Sequence, residues 1–262
     1  MPPQPPVQLV FLDQSSWSER ARFALQIASI KLEVSRGEAV KYTPFVDELW
    51  LRYKMGKWSG KVSVPVLFVS GKPIAGSRDI ALWASQQSSG KLQMGDEDLL
   101  NKVENASDLV MLATRYRGCI RIAEAGVYDA QDLPPGAGWL PASVARFATR
   151  RVFRKIADKY KRPGETMESD KEDMRKGLSI LTNLLKAAGG KRFSGLEGGI
   201  SFVDIVAATS IQFVPLPGGR VPYGPNVAPL WREPDLEAEF SDLIAWRDSI
   251  YNEFRLPVEE HL

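Results

Sequence analysis

The chain has one histidine and one cysteine among its 262 residues, and each scarcity excludes a class of chemistry. The only histidine, His261, lies next to the C-terminus, which argues against both a Ser-His triad and a His-based metal site, so we predict no metal site. A lone Cys119 excludes a disulfide framework and fits a reducing compartment, so we expect a cytoplasmic protein. Any chemistry must come from hydroxyls, carboxylates, cations or a bound cofactor.

Long apolar runs and a strong charge imbalance are also missing. No run is long enough to span a bilayer, and a net charge of +2 is too small to indicate nucleic acid, so we expect neither partner. The proline-rich residues 1–6 lack the basic and apolar regions of a signal peptide and are expected to form a flexible lead-in. A chain of 262 residues, 44% of them hydrophobic, is long enough for two domains.

The stretch from Val62 to Ser85 carries the clearest structural pattern. An apolar, β-branched run predicts a buried strand, a Ser-Gly-Lys-Pro turn follows, and a short second strand leads into a helix that Ser77 is placed to cap. Pro65 cannot donate to a strand ladder, so it must lie at a start, an edge or a bulge, and the bond before it can be cis.

A cluster of serines lies between a predicted strand over Val7 to Leu12 and a predicted helix over Trp17 to Ile30. On this stretch alone, helix capping is the favoured role, because Glu19 lies three residues after Ser16 and would complete a capping box. A capping role is compatible with a role in binding, because a helix N-terminus favours negative charge and can stabilise a bound thiolate.

Both stretches resemble the thioredoxin-like half of glutathione transferases. Val64-Pro65-Val66-Leu67, a Gly-Lys-Pro turn and Ser77-Arg78-Asp79-Ile80 match one part of that domain. The run from Ser15 to Leu25 is similar to the start of helix one in the serine- and cysteine-type enzymes, with a tau-, phi- or omega-like motif. The resemblance implies an α/β thioredoxin-like domain over residues 1–88, a linker, and an all-α domain over residues 97–262.

The resemblance also implies a glutathione site. Ser15 falls on the catalytic position, with its hydroxyl directed at the glutathione sulfur. Val64 and a cis Pro65 would bind the cysteinyl part, while Ser77 and Arg78 would bind the γ-glutamyl part. Gly76 stands where the family usually has Glu or Gln, so the glutamyl amine needs another acceptor, either Asp79 or an acid from a partner subunit.

The implied activity is addition of glutathione, as co-substrate, to a small electrophile, as in detoxification, by a homodimer. Two alternatives remain open: glutathione-dependent lyase, isomerase or peroxidase chemistry at the same site, and a binding or assembly module with no turnover. The absence of a cysteine near Ser15 counts against thiol-disulfide exchange.

The second half is predicted to be helical, and Ser201 with Asp204 has capping-box spacing at the start of one helix.

Arg115, Arg117 and Arg121 form either a solvated face or, if one or two point inward, a site for an anionic or carbonyl-bearing acceptor. Likewise, Lys54, Lys57 and Lys61 are either solvated or neutralise the glycyl carboxylate. The predicted helices are 99–125, 141–160, 171–188, 202–213 and 236–254, and the Pro- and Gly-rich loop 214–234 could cover the pocket.

Overall fold

In a computed structural model, the described residues are 6–32, 37–44, 46–128, 141–161, 164, 166–196, 199–217 and 224–256. Residues 1–5 of the predicted lead-in and His261 lie outside them. No helix in these ranges is long and apolar enough to cross a membrane.

The first part of the chain builds a small mixed sheet with the strand order β2-β1-β3-β4. β1 pairs in parallel with β2, whereas the β1–β3 and β3–β4 pairs are antiparallel. The Val64-Pro65 bond is cis, as predicted, and β3 begins at the residue after the proline. The strands are β1 Val7–Phe11, β2 Ala39–Lys41, β3 Val66–Val69 and β4 Lys72–Ala75; the helices are α1 Ser16–Ile27, α2 Glu48–Met55 and α3 Ser77–Gln87.

The two faces of this sheet pack against different helices, as strand alternation requires. Leu9 and Phe11 face the main core with α1 and α3. Val10 faces the other way and packs with Leu51 of α2 in a separate cluster. The sheet and its three helices form the predicted thioredoxin-like arrangement.

The rest of the described chain is helical, as predicted. The predicted helix 202–213 ends early because the Arg247 guanidinium binds the Ile211 and Val214 carbonyls at 2.5 and 3.0 Å, in place of further helical bonds. The predicted helix 236–254 is two helices separated at Phe240. The helices are α4 Glu97–Ala125, α5 Ala142–Tyr160, α6 Met167–Ala187, α7 Phe202–Ser210, α8 Ala228–Trp231, α9 Pro234–Glu239 and α10 Ser241–Phe254.

The predicted capping box at the start of α7 is confirmed. Ser201 Oγ accepts from the Asp204 backbone, and the Asp204 carboxylate accepts from the Ser201 N–H at 3.0 Å. The same carboxylate also accepts from the Phe193 N–H at 2.7 Å and from the Ser194 hydroxyl at 2.9 Å. Asp204 is therefore a structural residue that joins the loop before α7 to the helix.

Candidate active site

A cavity of about 520 Å³ opens where the sheet-containing part of the chain meets α4 and α5. Its walls come from the β1–α1 turn, the start of α2, the segment leading to Pro65, the β4–α3 turn, and the two helices. Ser15, Val64, Pro65 and Ser77, which are predicted site residues, all line this cavity.

Ser15 is the N-cap of α1 and also lines the cavity. Its Oγ accepts from the Ser18 backbone N–H at 3.3 Å, and the residue is 5% exposed. A hydroxyl that accepts one bond still has a proton to donate, and no described residue accepts it. The capping role and the predicted catalytic position therefore fall on one residue.

The capping box expected at Ser16 and Glu19 is wrong. Ser16 is the first helical residue, and its hydroxyl donates to Gln212 Oε1 at 2.6 Å. Glu19 is fully buried and binds the guanidinium groups of Arg22 and Arg255 instead of a backbone N–H. Ser18 is also fully buried, and its Oγ accepts from Leu12 N–H at 3.1 Å. Only Ser15 of the three serines lines the cavity.

Arg20 helps to hold α1 in place behind Ser15. Its guanidinium donates to Thr209 of α7 at 3.1 Å and to Ser107 of α4. Burial lowers the pKa of Arg20 to about 10, against the attraction of Asp108 and Glu104, which raises it. The N-terminal end of α1 is therefore fixed by polar contacts to two other helices.

Val64 and Pro65 present backbone to the cavity. No described residue forms a hydrogen bond with the N–H or C=O of Val64, which precedes the ladder of β3. The Pro65 carbonyl accepts from the Gly76 N–H at 3.0 Å, so the two turns that line this wall are joined by a backbone bond. An extended peptide could pair with the free Val64 groups.

The predicted cap at Ser77 is wrong: Gly76 is the N-cap, so α3 begins at Ser77, one residue earlier than predicted. Gly76 has a φ of 96° in the region that favours glycine, which explains a glycine at this position. The Ser77 hydroxyl has no partner among the described residues, and the first-turn N–H groups of α3 lie beside it. A helix N-terminus with a free hydroxyl is suited to an anion.

Arg78 and Asp79 do not line the cavity with their side chains. The Arg78 guanidinium binds Glu97 and Glu104 of α4, each at 2.7 Å, outside the cavity. Asp79 is exposed outside the cavity. The one carboxylate in the described cavity wall is Glu48, and Arg52 holds it at 2.8 Å.

Solved structures with the same architecture decide the fold. A glutathione transferase from Phanerochaete chrysosporium aligns at a TM-score of 0.58 with 15% identity, over 96% of this chain and 99% of that one. A tau-class glutathione S-transferase from mango, Mangifera indica, aligns at 0.54 with 16% identity, over 97% and 94%. This chain has the glutathione transferase fold.

A third structure with this fold, from Methylobacillus flagellatus, was solved with glutathione bound. It aligns at a TM-score of 0.51 with 15% identity, over 96% of this chain and all of that one, 100%. No protein-family model and no curated protein matches the sequence.

Of the three arginines of α4, only Arg115 lines the cavity of this glutathione transferase fold. Its Nη2 donates to the Gln14 carbonyl at 2.8 Å, one residue before Ser15. Arg117 and Arg121 instead bind Glu233, at 2.7 and 2.5 Å. Lys61 also lines the cavity, whereas Lys54 and Lys57 do not.

The long segment between α7 and α9 does not cover the cavity with its described residues. It contains the short helix α8, and Trp231 packs in a small core with Cys119. Burial raises the pKa of the Cys119 thiol to about 12, although Arg115 opposes the shift, so this cysteine carries no thiolate at neutral pH. Residues 218–223 of this predicted loop lie outside the described residues.

Sequence reasoning missed the contribution of α5 to the cavity. Lys155, Ile156, Lys159 and Tyr160 line it, and the Tyr160 ring stacks with that of Trp17 at a centroid distance of 6.2 Å. No local signal could have found this pairing, because the two aromatic residues are distant in sequence and meet only when α5 packs against α4.

Proposed function

We propose that the chain is a glutathione transferase-like enzyme in which Ser15 activates the glutathione thiol. The observation that carries this proposal is the convergence of Ser15, the Val64-Pro65 backbone and Ser77 on one cavity. These residues come from three separate segments. The glutathione-bound structure of the same fold from Methylobacillus flagellatus supports glutathione as the ligand.

Glutathione fits the free polar groups of this wall. Its γ-glutamyl carboxylate would bind the Ser77 hydroxyl and the N-terminal N–H groups of α3, which favour an anion. Its cysteinyl backbone would pair with the free N–H and C=O of Val64. Lys61 lies in the same wall and would attract the glycyl carboxylate. The thiol would then lie towards Ser15.

The Ser15 hydroxyl would donate a hydrogen bond to the glutathione sulfur. Such a bond favours the charged form of the thiol and lowers its pKa, and the N-terminal end of α1 acts in the same direction. The thiolate would then attack an electrophilic carbon of the second substrate, and the leaving group would depart with the bonding electron pair.

Two alternatives use the same cavity differently. Lyase, isomerase or peroxidase chemistry would need the same activated thiolate, so it shares every residue proposed here. A non-catalytic binding module is favoured by Gly76, because no described carboxylate of this chain lies free in the cavity to accept the glutamyl amine. Retention on glutathione resin, followed by conjugation assays, separates this module from the transferase.

Replacing Ser77 by alanine should weaken glutathione binding about 10- to 100-fold, the effect of one charge-assisted hydrogen bond. Isothermal titration calorimetry would measure the dissociation constant. Ser85→Ala is the matched control, because Ser85 lies on the same helix and its hydroxyl donates to Leu82 O outside the cavity. Equal affinities of Ser77→Ala and Ser85→Ala would refute the proposed anion site.

We also propose a homodimer. Val46, Leu49, Tyr53 and Trp58 are each at least 65% exposed, and the last two rings touch edge to face at 6.4 Å. Large exposed apolar groups clustered on and beside one short helix, α2, are typical of an interaction surface. Light scattering should give twice the monomer mass of 29.1 kDa, and Leu49→Asp should lower it. A mass of 29.1 kDa for the unmodified protein at micromolar concentration would contradict this proposal.

A further inference from the structure

The α4 and α5 wall of the cavity is cationic. Arg115, Lys155 and Lys159 line it, and no carboxylate from either helix does so. The single carboxylate in the described lining, Glu48, belongs to α2 and is bound by Arg52. This wall therefore attracts anions.

Arg115 is the central group of this wall. It is only partly exposed, and it forms no ion pair with any residue in the described ranges. One Nη donates to the Gln14 carbonyl, which leaves other N–H donors of the guanidinium free. A partly buried cation without a carboxylate partner is stabilised when an anion binds it.

The same wall offers aromatic surface. The rings of Trp17 and Tyr160 are nearly parallel, with 9° between their planes, and both line the cavity. The Arg115 guanidinium lies 6.0 Å from the centroid of Tyr160, and the Lys159 ammonium lies 5.6 Å from it. Flat apolar surface with cations at its edge suits an aromatic ring that carries a negative group.

We propose that the second substrate is an aromatic electrophile carrying a carboxylate, which Arg115 and Lys159 bind while the ring packs against Trp17 and Tyr160. This inference rests on the proposed function, because it assumes that glutathione occupies the opposite wall. Glutathione's own carboxylates are accommodated there by Ser77 with the α3 N-terminus and by Lys61. Gln14 directly precedes Ser15, so Arg115 holds the substrate beside the reacting sulfur.

The test uses nucleophilic aromatic substitution on one electrophile in two charge states. A chlorodinitrobenzoate, with its chlorine para to the carboxylate, is compared with its methyl ester. The glutathione thiolate forms a carbon–sulfur bond, the carbon–chlorine bond breaks, and chloride leaves with the electron pair. Dividing each kcat/KM by the uncatalysed rate constant with glutathione removes the intrinsic reactivity difference between acid and ester.

The normalised kcat/KM should be about tenfold or more higher for the acid than for the ester, the effect of one or two charge-assisted hydrogen bonds. Arg115→Gln should remove most of this preference by raising KM for the acid, with the ester little changed, and Arg115→Lys should retain part of it. Lys159→Gln, at an exposed position, should have a smaller effect in the same direction.

Arg151→Gln is the control, because it removes the same charge from α5 at a position outside this cavity. It should leave the acid-to-ester ratio unchanged. An ester conjugated as efficiently as the acid, or a ratio that Arg115→Gln does not alter, would overturn the inference while the proposed function stands. No conjugation of either compound above the uncatalysed rate would refute the proposed transferase function and this inference with it.

Discussion

Replacing Ser15 by alanine should raise the thiol pKa of bound glutathione by roughly one to two units. A hydrogen bond to a charged acceptor contributes about 1.5–3 kcal/mol, and one pKa unit corresponds to about 1.4 kcal/mol. The thiolate fraction near neutral pH, and turnover with it, should fall about 10- to 100-fold, with a smaller effect on glutathione affinity. The ultraviolet absorbance of the bound thiolate, titrated against pH, measures this shift directly.

Three further variants separate catalysis from helix capping. Ser15→Ala also removes the N-cap of α1, which should cost about 1 kcal/mol of unfolding free energy. Ser15→Thr keeps both the cap and the hydroxyl and should retain a low thiol pKa. Ser16→Ala and Ser18→Ala remove hydroxyls that bind within the protein, and should leave the titration unchanged. A shift in Ser18→Ala but not in Ser15→Ala would show that the proposed register is wrong.

Replacing Glu19 by glutamine should cost about 3–5 kcal/mol of unfolding free energy, because it removes the buried carboxylate that lies between two guanidinium groups. Glu19 contacts Arg255 at 2.9 Å and Arg22 at 2.7 Å. Asp13 still forms a salt bridge with Arg22 at 3.2 Å, so the substitution should affect Arg255 more than Arg22. Urea unfolding monitored by circular dichroism would measure the change.

Glu172→Gln provides the matched control for that measurement. Glu172 also pairs with an arginine, Arg175, but its side chain is 60% exposed. Exposed ion pairs contribute about 0–1 kcal/mol, so this variant should unfold nearly as the unmodified protein does. Equal losses of unfolding free energy in the two variants would show that the burial of Glu19 adds nothing to its effect on stability.

The stabilising effect of Glu19 should also depend on pH. Burial alone would raise the pKa of Glu19, but the attraction of Arg255 and Arg22 outweighs it and holds the pKa below the ordinary value of 4.5. The unfolded chain therefore takes up the proton first as the pH falls. The stability advantage over Glu19→Gln should be constant above pH 4.5 and should shrink as the pH falls through the folded-state pKa. An advantage that grows on acidification would contradict this assignment.

Much of the fold was predictable because its signals are local. Pro65, the glycine-rich turn and the apolar periodicity each act within a few residues, and they gave the order of strands and helices. The predicted end of α7 was wrong because a side chain from α10, Arg247, binds the carbonyls of Ile211 and Val214 just after the helix. Glu19 was wrongly assigned to a capping box because one of its two partners, Arg255, is far away in sequence.

The site was predictable only where it is built from turns. Ser15 and Ser77 begin helices, so their positions follow from the pattern around them. The directions in which the α4 arginines point do not follow from the sequence pattern. Arg117 and Arg121 lie four residues apart on one helical face and share Glu233, whereas Arg115 lies on a different face, towards the cavity. Only the packing of α4 against its neighbours decides which face is which.

The backbone bond from Gly76 to Pro65 has a consequence for binding kinetics. Because it joins the two turns that would hold glutathione, both should already have their bound geometry before the ligand arrives. A preformed site avoids the entropy cost of ordering loops. Stopped-flow traces should therefore show a single phase whose rate constant rises linearly with glutathione concentration, without the plateau that a slow rearrangement produces.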